Sequence, residues 1–175
     1  VQPELSSELV SLRPFRAEDS AWVYEACQDP EIQRWTRVPV PYGREDAEGF
    51  IMGFARDQWT TRLGVHMAVT TTISGAGVEA VGLMLADPVG RVAEAGSWIS
   101  VEHRRQGYAS RALGLVIAWA SSELGLARIE LHIDPCNAPS ATVAKSLNFV
   151  SEGVLRRKAQ RLGEQRDVAV FATDF

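Results

Sequence analysis

The spacing of apolar residues changes several times along the chain, and each change predicts an element. Leu9 to Phe15 reads as a strand, and Glu18 to Gln28 as a helix broken by Asp29-Pro30. Glu31 to Tyr42 keeps no period and is punctuated by prolines, so it predicts an irregular segment. From Arg44 to Trp59, the residues Ala47, Phe50, Ile51 and Phe54 fall on one helical face. Leu63 to Thr70 and Val78 to Ala86 read as strands joined by the turn Ile73-Ser74-Gly75-Ala76-Gly77. Arg91 to Val101 is again strand-like, and Gly107 to Leu124 carries Leu113, Val116, Ile117, Ala120 and Leu124 as one helical stripe that Gly125 ends. Ala127 to Ile133 alternates as a strand does. The turn Asp134-Pro135-Cys136-Asn137 then offers Asn137 as the cap of a helix reaching about Leu147. Val150 to Arg157 and Gln165 to Ala172 close the chain as a hairpin around Leu162-Gly163-Glu164.

The order strand, helix, strand, helix within about 60 residues has the length of a βαβα unit. Its first turn is the most informative stretch: Ile99-Ser100-Val101-Glu102-His103-Arg104-Arg105-Gln106-Gly107-Tyr108-Ala109-Ser110-Arg111-Ala112. A strand end, a short basic turn and a glycine open a long helix there. Helix N-termini present unpaired N–H groups and partial positive charge, which suits an anion such as a pyrophosphate. Gly107 lets the backbone approach such a ligand, and Arg104 and Arg105 add charge beside it. Neither Gly-x-x-x-x-Gly-Lys nor Gly-x-Gly-x-x-Gly is present, so the two familiar nucleotide loops do not fit.

The pattern Arg104-x-x-Gly107-x-Ala109 after a strand resembles the acetyl-CoA loop of the GNAT acetyltransferase superfamily, in particular its RimJ/RimL-type branch. The same likeness is carried by Glu94-Ala95-Gly96-Ser97-Trp98-Ile99, Leu124-Gly125-Leu126, Arg128-Ile129-Glu130-Leu131, Asn137-x-x-Ser140 and Leu147-Asn148-Phe149. It extends weakly to Leu12-Arg13-Pro14-Phe15 with Ala17-Glu18-Asp19, and to Pro41-Tyr42-x-x-Glu45-Asp46-Ala47. Where the family has Leu-Gly-Phe, this chain has Asn148, a residue that also tolerates the left-handed conformation. The resemblance implies a mixed α/β fold: a twisted, mostly antiparallel sheet with one splayed parallel pair, flanked by helices.

Composition bounds this reading without redirecting it. With 175 residues, 46% hydrophobic and 23% charged, the chain fits one globular domain spanning 1–175. No apolar run reaches membrane-spanning length, and the start VQPELSSELVSLRPF lacks the basic and apolar regions of a signal peptide. Cys27 and Cys136 have no metal-ligand spacing, so neither a metal nor a disulfide framework is expected, and Cys27 reads as an apolar filler. A cytoplasmic protein follows, and lysine only at Lys145 and Lys158 hints at a GC-rich bacterial source. A net charge of −4 argues against a nucleic-acid partner. The basic residues Arg156, Arg157, Lys158, Arg161 and Arg166 are then local, either a solvated hairpin or a contact with substrate.

The resemblance implies acetyl-CoA as co-substrate and an amine as acceptor. Backbone groups of Ile99, Ser100 and Val101 would bind pantetheine as an added strand. The pyrophosphate would sit on the N–H groups of Gln106, Gly107, Tyr108, Ala109 and Ser110, with Arg104 and Arg105 beside it. Asn137 would hydrogen-bond pantetheine, its plainer role being the helix cap. Many relatives place a tyrosine seven residues after this asparagine to protonate the leaving thiolate. Ala144 stands there, and Ser140 matches the serine assigned that role in the RimJ/RimL branch. A glutamate base that the branch can carry in its last hairpin is replaced by Ala159. Glu94, on the strand entering the site, is the expected base, directly or through water. Its plainer reading is a surface strand residue. His66 and His132 read as structural, and His103 as a contact with phosphate or solvent.

The acceptor expected first is a protein or peptide α-amine, whose pKa of about 7.7–8.0 leaves a sizeable fraction neutral at physiological pH. A polyamine, an amino acid or an aminoglycoside is the alternative. A non-catalytic acyl-CoA-binding module is the reading from a different class, since Ala144 and Ala159 remove two familiar catalytic side chains. A homodimer is compatible with any of these.

Overall fold

The computed structural model describes all 175 residues. Eight strands form one sheet: β1 Leu5–Ser6, β2 Val10–Pro14, β3 Gly64–Thr71, β4 Gly77–Asp87, β5 Val92–Ile99, β6 Arg128–Ile133, β7 Val150–Arg161 and β8 Glu164–Asp174. Their spatial order is β1-β2-β3-β4-β5-β6-β8-β7, so the final hairpin inserts β8 beside β6 and leaves β7 at the edge. Every pairing is antiparallel except β5 with β6. That parallel pair needs a crossover, which the helix α5, Tyr108–Glu123, supplies.

The two faces of the sheet are covered differently. On one, α5 buries Ala112, Leu113, Val116 and Ala120 in a core shared with Ala93 and Ala95 of β5 and with Ile129, Leu131 and Ile133 of β6. The helix α6, Ala138–Ser146, packs beside it with Ala144 fully buried. On the other face lie α1 Ser20–Ala26, α2 Pro30–Trp35, α3 Arg44–Glu48 and α4 Ala55–Thr60, the last two joined by a π turn at Gly49–Phe54. These helices gather Val23, Cys27, Ile32, Tyr42, Ala47 and Ile51 into a second core, against which Trp98 of β5 packs. Successive residues of a strand face opposite sides. Ala93 and Ala95 therefore look toward α5, while Glu94, Gly96 and Trp98 look toward α1–α4. Burial pushes the Cys27 thiol up to about 12, which agrees with the role of apolar filler.

Most predicted elements stand within a residue or two of their expected ends. Three differ for physical reasons. Asp29-Pro30 starts a helix as well as ending one: Asp29 accepts the N–H of Glu31 at 3.0 Å, and Pro30 is pre-shaped for the first helical position. The segment expected to be irregular thus begins with α2. β5 stops at Ile99, and Val101–His103 form a single 3₁₀ turn instead of extending the strand. β7 runs on to Arg161 through a bulge between Leu155 and Ala159, where Arg157 takes φ 53° and its N–H bonds the Asp167 carboxylate. Asn148, replacing the family's glycine, does adopt the left-handed conformation, at φ 62°. No helix is long and apolar enough to cross a membrane.

Candidate active site

The parallel ladder of β5 and β6 covers only four pairs, Val92 with Arg128 through Ala95 with Leu131. Beyond it β5 stays bonded to β4 as far as Ile99, and β6 stays bonded to β8 as far as Ile133. Between Gly96–Ile99 and His132–Ile133 the sheet therefore opens into a V-shaped gap, which is the splay expected from the sequence. Ser100 closes the β4 side: its N–H donates to Val78 C=O at 2.9 Å, and its hydroxyl does so at 3.1 Å while also meeting His103 Nδ1 at 2.9 Å.

Antiparallel bonding alternates along a strand. Trp98 and Gly96 share the orientation of Ser100, and Ser97 and Ile99 turn their backbone groups into the gap. This corrects one expectation, because Ser100 has no free N–H to offer an added strand. Ser97, to which the sequence reading assigns no role, presents its backbone on the open edge instead. Only the register of β4 against β5 distinguishes it.

The basic turn leads from the gap to α5. The first helical bond runs from Arg111 N–H to Gly107 C=O at 3.1 Å, and no side chain caps the helix. Tyr108, Ala109 and Ser110 therefore point uncompensated N–H groups out of the helix end. Gly107 holds φ 83°, and a Cβ there would meet nothing within 4 Å. The position needs glycine for its backbone conformation and leaves the space in front of the helix open. Arg105 also takes positive φ, at 59°, and is exposed. Arg104 is not a free cation: its guanidinium is ion-paired with Asp29 at the start of α2. Gln106 turns its side-chain amide to Glu102 C=O at 3.0 Å.

Across the gap, Asn137 caps α6 by accepting the N–H of Ser140 at 3.2 Å. The Ser140 hydroxyl is half-buried and makes no hydrogen bond within the chain. Ala144 is fully buried in the core, so no phenol could replace it without repacking. Ala159 pairs with Arg166 in the last hairpin.

On the α1–α4 face a line of charged groups crosses the apex of the V. Arg37 Nη2 donates to Glu94 Oε1 at 2.7 Å. Glu94 Oε2 lies 3.4 Å from His132 Nδ1, and His132 Nε2 lies 2.8 Å from Glu130 Oε2. Glu130 Oε1 accepts from Arg128 Nε at 2.9 Å, and Arg128 also pairs with Glu152 and Asp174. Burial works to raise the Glu130 carboxyl, but bonds from His132 and Arg128 outweigh it and hold the group below its ordinary range. The side chains of Glu94 and His132 are 21% and 22% exposed, so solvent and a small group can reach both.

Of this line, sequence pattern points to Glu94 alone. His132 reads there as structural, and neither Arg37 nor Glu130 stands out as a site residue. Strand parity offers a usable signal. With Glu94 opposite Glu130, a residue two further along β6 must fall on the same face at the apex. His66 by contrast is structural: it packs over Gly82 and between Phe50 and Phe54, and burial pushes its imidazole down to about 4.

The loop that carries Arg37 is also held by the last hairpin. Arg161, at the end of β7, reaches across to the α2 loop, with Nε donating to Gln33 C=O at 2.9 Å and Nη2 to Val38 C=O at 2.8 Å. The hairpin and the loop carrying Arg37 are thereby tied together.

Residues 10–150 match the model of the acetyltransferase (GNAT) domain. The chain belongs to the GNAT acetyltransferase family. It is accordingly an acyltransferase of the kind that uses acetyl-CoA as co-substrate. A curated relative, the uncharacterized N-acetyltransferase p20 of Bacillus licheniformis, is 27% identical over 172 residues, covering 96% of this chain and 94% of the relative. Among solved structures, a RimL ribosomal L7/L12 α-N-protein acetyltransferase in complex with coenzyme A is similar at TM-score 0.89. It is 15% identical, with 98% of each chain covered. Mycobacterium smegmatis RimJ in complex with a CoA-disulfide is similar at TM-score 0.86 and 22% identity, covering 98% of this chain and 86% of that one. At such identities the structures speak for the fold alone.

Proposed function

We propose that this GNAT enzyme moves the acetyl group of acetyl-CoA to the N-terminal α-amine of a protein or peptide. The observation that carries the reading is the apex of the β5–β6 gap. Unpaired backbone of Ser97 and Ile99 runs from the α5 N-terminus to it, and the Glu94–His132 pair stands beside it on the opposite face. Pantetheine added along β5 would put the thioester at that apex, with the pyrophosphate on the N–H groups from Gln106 to Ser110. Asn137 would bind pantetheine from the far side, Ser140 would protonate the leaving thiolate, and Glu94 would assist deprotonation of the amine.

An α-amine suits this equipment. Its pKa is about two and a half units below that of a lysine side chain, so modest help suffices near neutral pH. The acceptor side would be formed by a loop and a hairpin tied together, with Arg37 largely exposed, which fits the end of a polypeptide. The RimJ and RimL structures, which share the fold, include one named for an α-N-protein acetyltransferase and point the same way. We read 1–175 as one domain of this kind, since β8, beyond the matched segment, bonds directly to β6 and completes the sheet. Use of acetyl-CoA and two free cysteines support a cytoplasmic enzyme.

The test is turnover of acetyl-CoA against a panel of free-amine peptides, the same peptides blocked at the α-amine, spermidine and an aminoglycoside. Mass spectrometry locates the acetyl group. Acetylation confined to the α-amine is expected. Acetylation of small amines alone would replace the acceptor, and CoA binding without any turnover would make the chain a binding module.

A further inference from the structure

The line Arg37–Glu94–His132–Glu130–Arg128 holds more than a base needs. Each carboxylate spends one oxygen on an arginine, Glu94 Oε1 on Arg37 and Glu130 Oε1 on Arg128. Each turns its other oxygen to the imidazole between them. The two sides of that imidazole are unlike. Nε2 is in hydrogen-bond contact with Glu130 at 2.8 Å, whereas Nδ1 and Glu94 Oε2 stand 3.4 Å apart, beyond the usual reach of a charge-assisted bond. With Nε2–H donating to Glu130, Nδ1 keeps its lone pair. Nδ1 and Glu94 Oε2 are then two acceptors 3.4 Å apart at the apex, and what suits both is a cation with N–H groups to give.

We propose that His132 is the group that takes the proton from the acceptor, with Glu94 holding the ammonium and Glu130 holding the imidazole. The inference rests on the amine-acetylation reading above. Glu94 Oε2 accepts one N–H of the incoming ammonium, and a second proton passes to His132 Nδ1. The freed nitrogen lone pair forms the N–C bond with the thioester carbonyl, and the C–S bond breaks as the adduct collapses. The remaining excess proton on nitrogen ends on the thiolate through the Ser140 hydroxyl, and His132 returns its proton to water. The imidazolium formed midway lies between the carboxylates of Glu94 and Glu130.

An imidazole is also better matched than a carboxylate to proton transfer near neutral pH. The charged groups facing His132 are Glu94 from β5, Glu130 and Arg128 from its own strand, and Arg37 through Glu94. Glu152 and Asp174 stand behind Arg128, and Val170, its neighbour on β8, is apolar.

Rate profiles between about pH 6 and pH 10 for wild type, His132→Gln and Glu94→Gln test this on whichever panel amine the wild type acetylates. His132→Gln is expected to lower kcat roughly 10²-fold near neutral pH and to converge on wild type once the amine is already neutral. Its KM for acetyl-CoA should not change. Glu94→Gln should act mainly on the KM of the acceptor. Imidazole added to His132→Ala should restore part of the rate.

A His132→Gln profile parallel to wild type at all pH values would overturn the proposal while leaving the acetylation reading intact. Acetylation of spermidine alone would change the acceptor, and the same profiles on spermidine would still decide the role of His132. A ¹⁵N spectrum of the CoA-bound protein near pH 7.5 gives an answer that needs no acceptor. Bare Nδ1 with protonated Nε2 is expected; a protonated Nδ1 would overturn the assignment.

Discussion

The two sides of the β5–β6 gap are made from different material. In the proposed reading the donor side is mainly backbone: strand edges at Ser97 and Ile99, an uncapped helix end at Tyr108–Ser110, and a glycine at φ 83° to join them. These come from one continuous stretch of chain, with Asn137 added from the cap of α6. The acceptor side in that reading is side chains: Arg37, Glu94, Glu130, His132 and Arg161, drawn from separate elements and held by ion pairs and carbonyl contacts. A backbone site tolerates many side-chain changes and fails when a conformation is lost. A side-chain site fails at single atoms and can be retuned without disturbing the fold. Solved structures at 22% and 15% identity keep the same fold, and a fold alone does not set the acceptor.

The largest effect is expected on the acceptor side. Glu94→Gln should lose about 10²-fold in kcat/KM near pH 6.5, less above pH 8, and nothing in affinity for CoA. A profile that superimposes on wild type would exclude Glu94 from handling the amine. On the donor side, Gly107→Val forces a β-branched residue into the left-handed region. It should weaken CoA binding tenfold or more, about 1.4 kcal/mol, in a calorimetric titration. Unchanged affinity in a folded variant would break the backbone account.

Ser140→Ala bridges the two sides. Because a thiol ionises near about pH 8.5, the thiolate leaves without much help. The expected loss is therefore only a few-fold in kcat, uniform across pH. A loss as large as that of Glu94→Gln would move the main burden of catalysis onto the leaving group.

Much of the donor side is legible in the sequence. Gly107, the helical stripe of α5 and the capping Asn137 announce themselves by local spacing, and local spacing is what shapes backbone. The splay follows only through the family resemblance, and the bond that takes Ser100 off the open edge marks where that resemblance stops. Which edge of a strand faces a gap depends on register with a neighbour, and Ser100 is bonded to Val78, far away in sequence. For the acceptor side the sequence points to Trp35 to Tyr42 and the closing hairpin as segments, and singles out Glu94 alone as a residue. His132 reads as any histidine on an alternating strand until β6 is aligned with β5. Arg37 lies in a segment without period, and Arg161 in a basic run that reads equally well as a solvated turn.

The smallest expected effect concerns Glu79 of β4, whose carboxylate is fully buried and has no hydrogen-bond partner. Burial pushes this carboxyl up to about 8. The unfolded chain releases the proton near about pH 4.3, so the folded state binds more proton between the two values. Stability contributed by this group is full below about pH 4 and falls as pH rises toward about 8. Glu79→Gln does not titrate, so its melting temperature should gain on wild type by at least a few degrees between pH 5 and pH 8. A difference that does not vary with pH would show that the carboxyl is neutralised or solvated some other way.

The central claim is that donor and acceptor meet at the apex where the β5–β6 ladder ends. A crystal structure of the CoA complex tests it most directly. Pantetheine should lie along Ser97 and Ile99, with the pyrophosphate on the N–H groups of the Gly107 turn and the thiol at the apex beside Glu94, His132 and Ser140. CoA bound elsewhere, or β5 and β6 paired without interruption beyond Ala95 and Leu131, would contradict it.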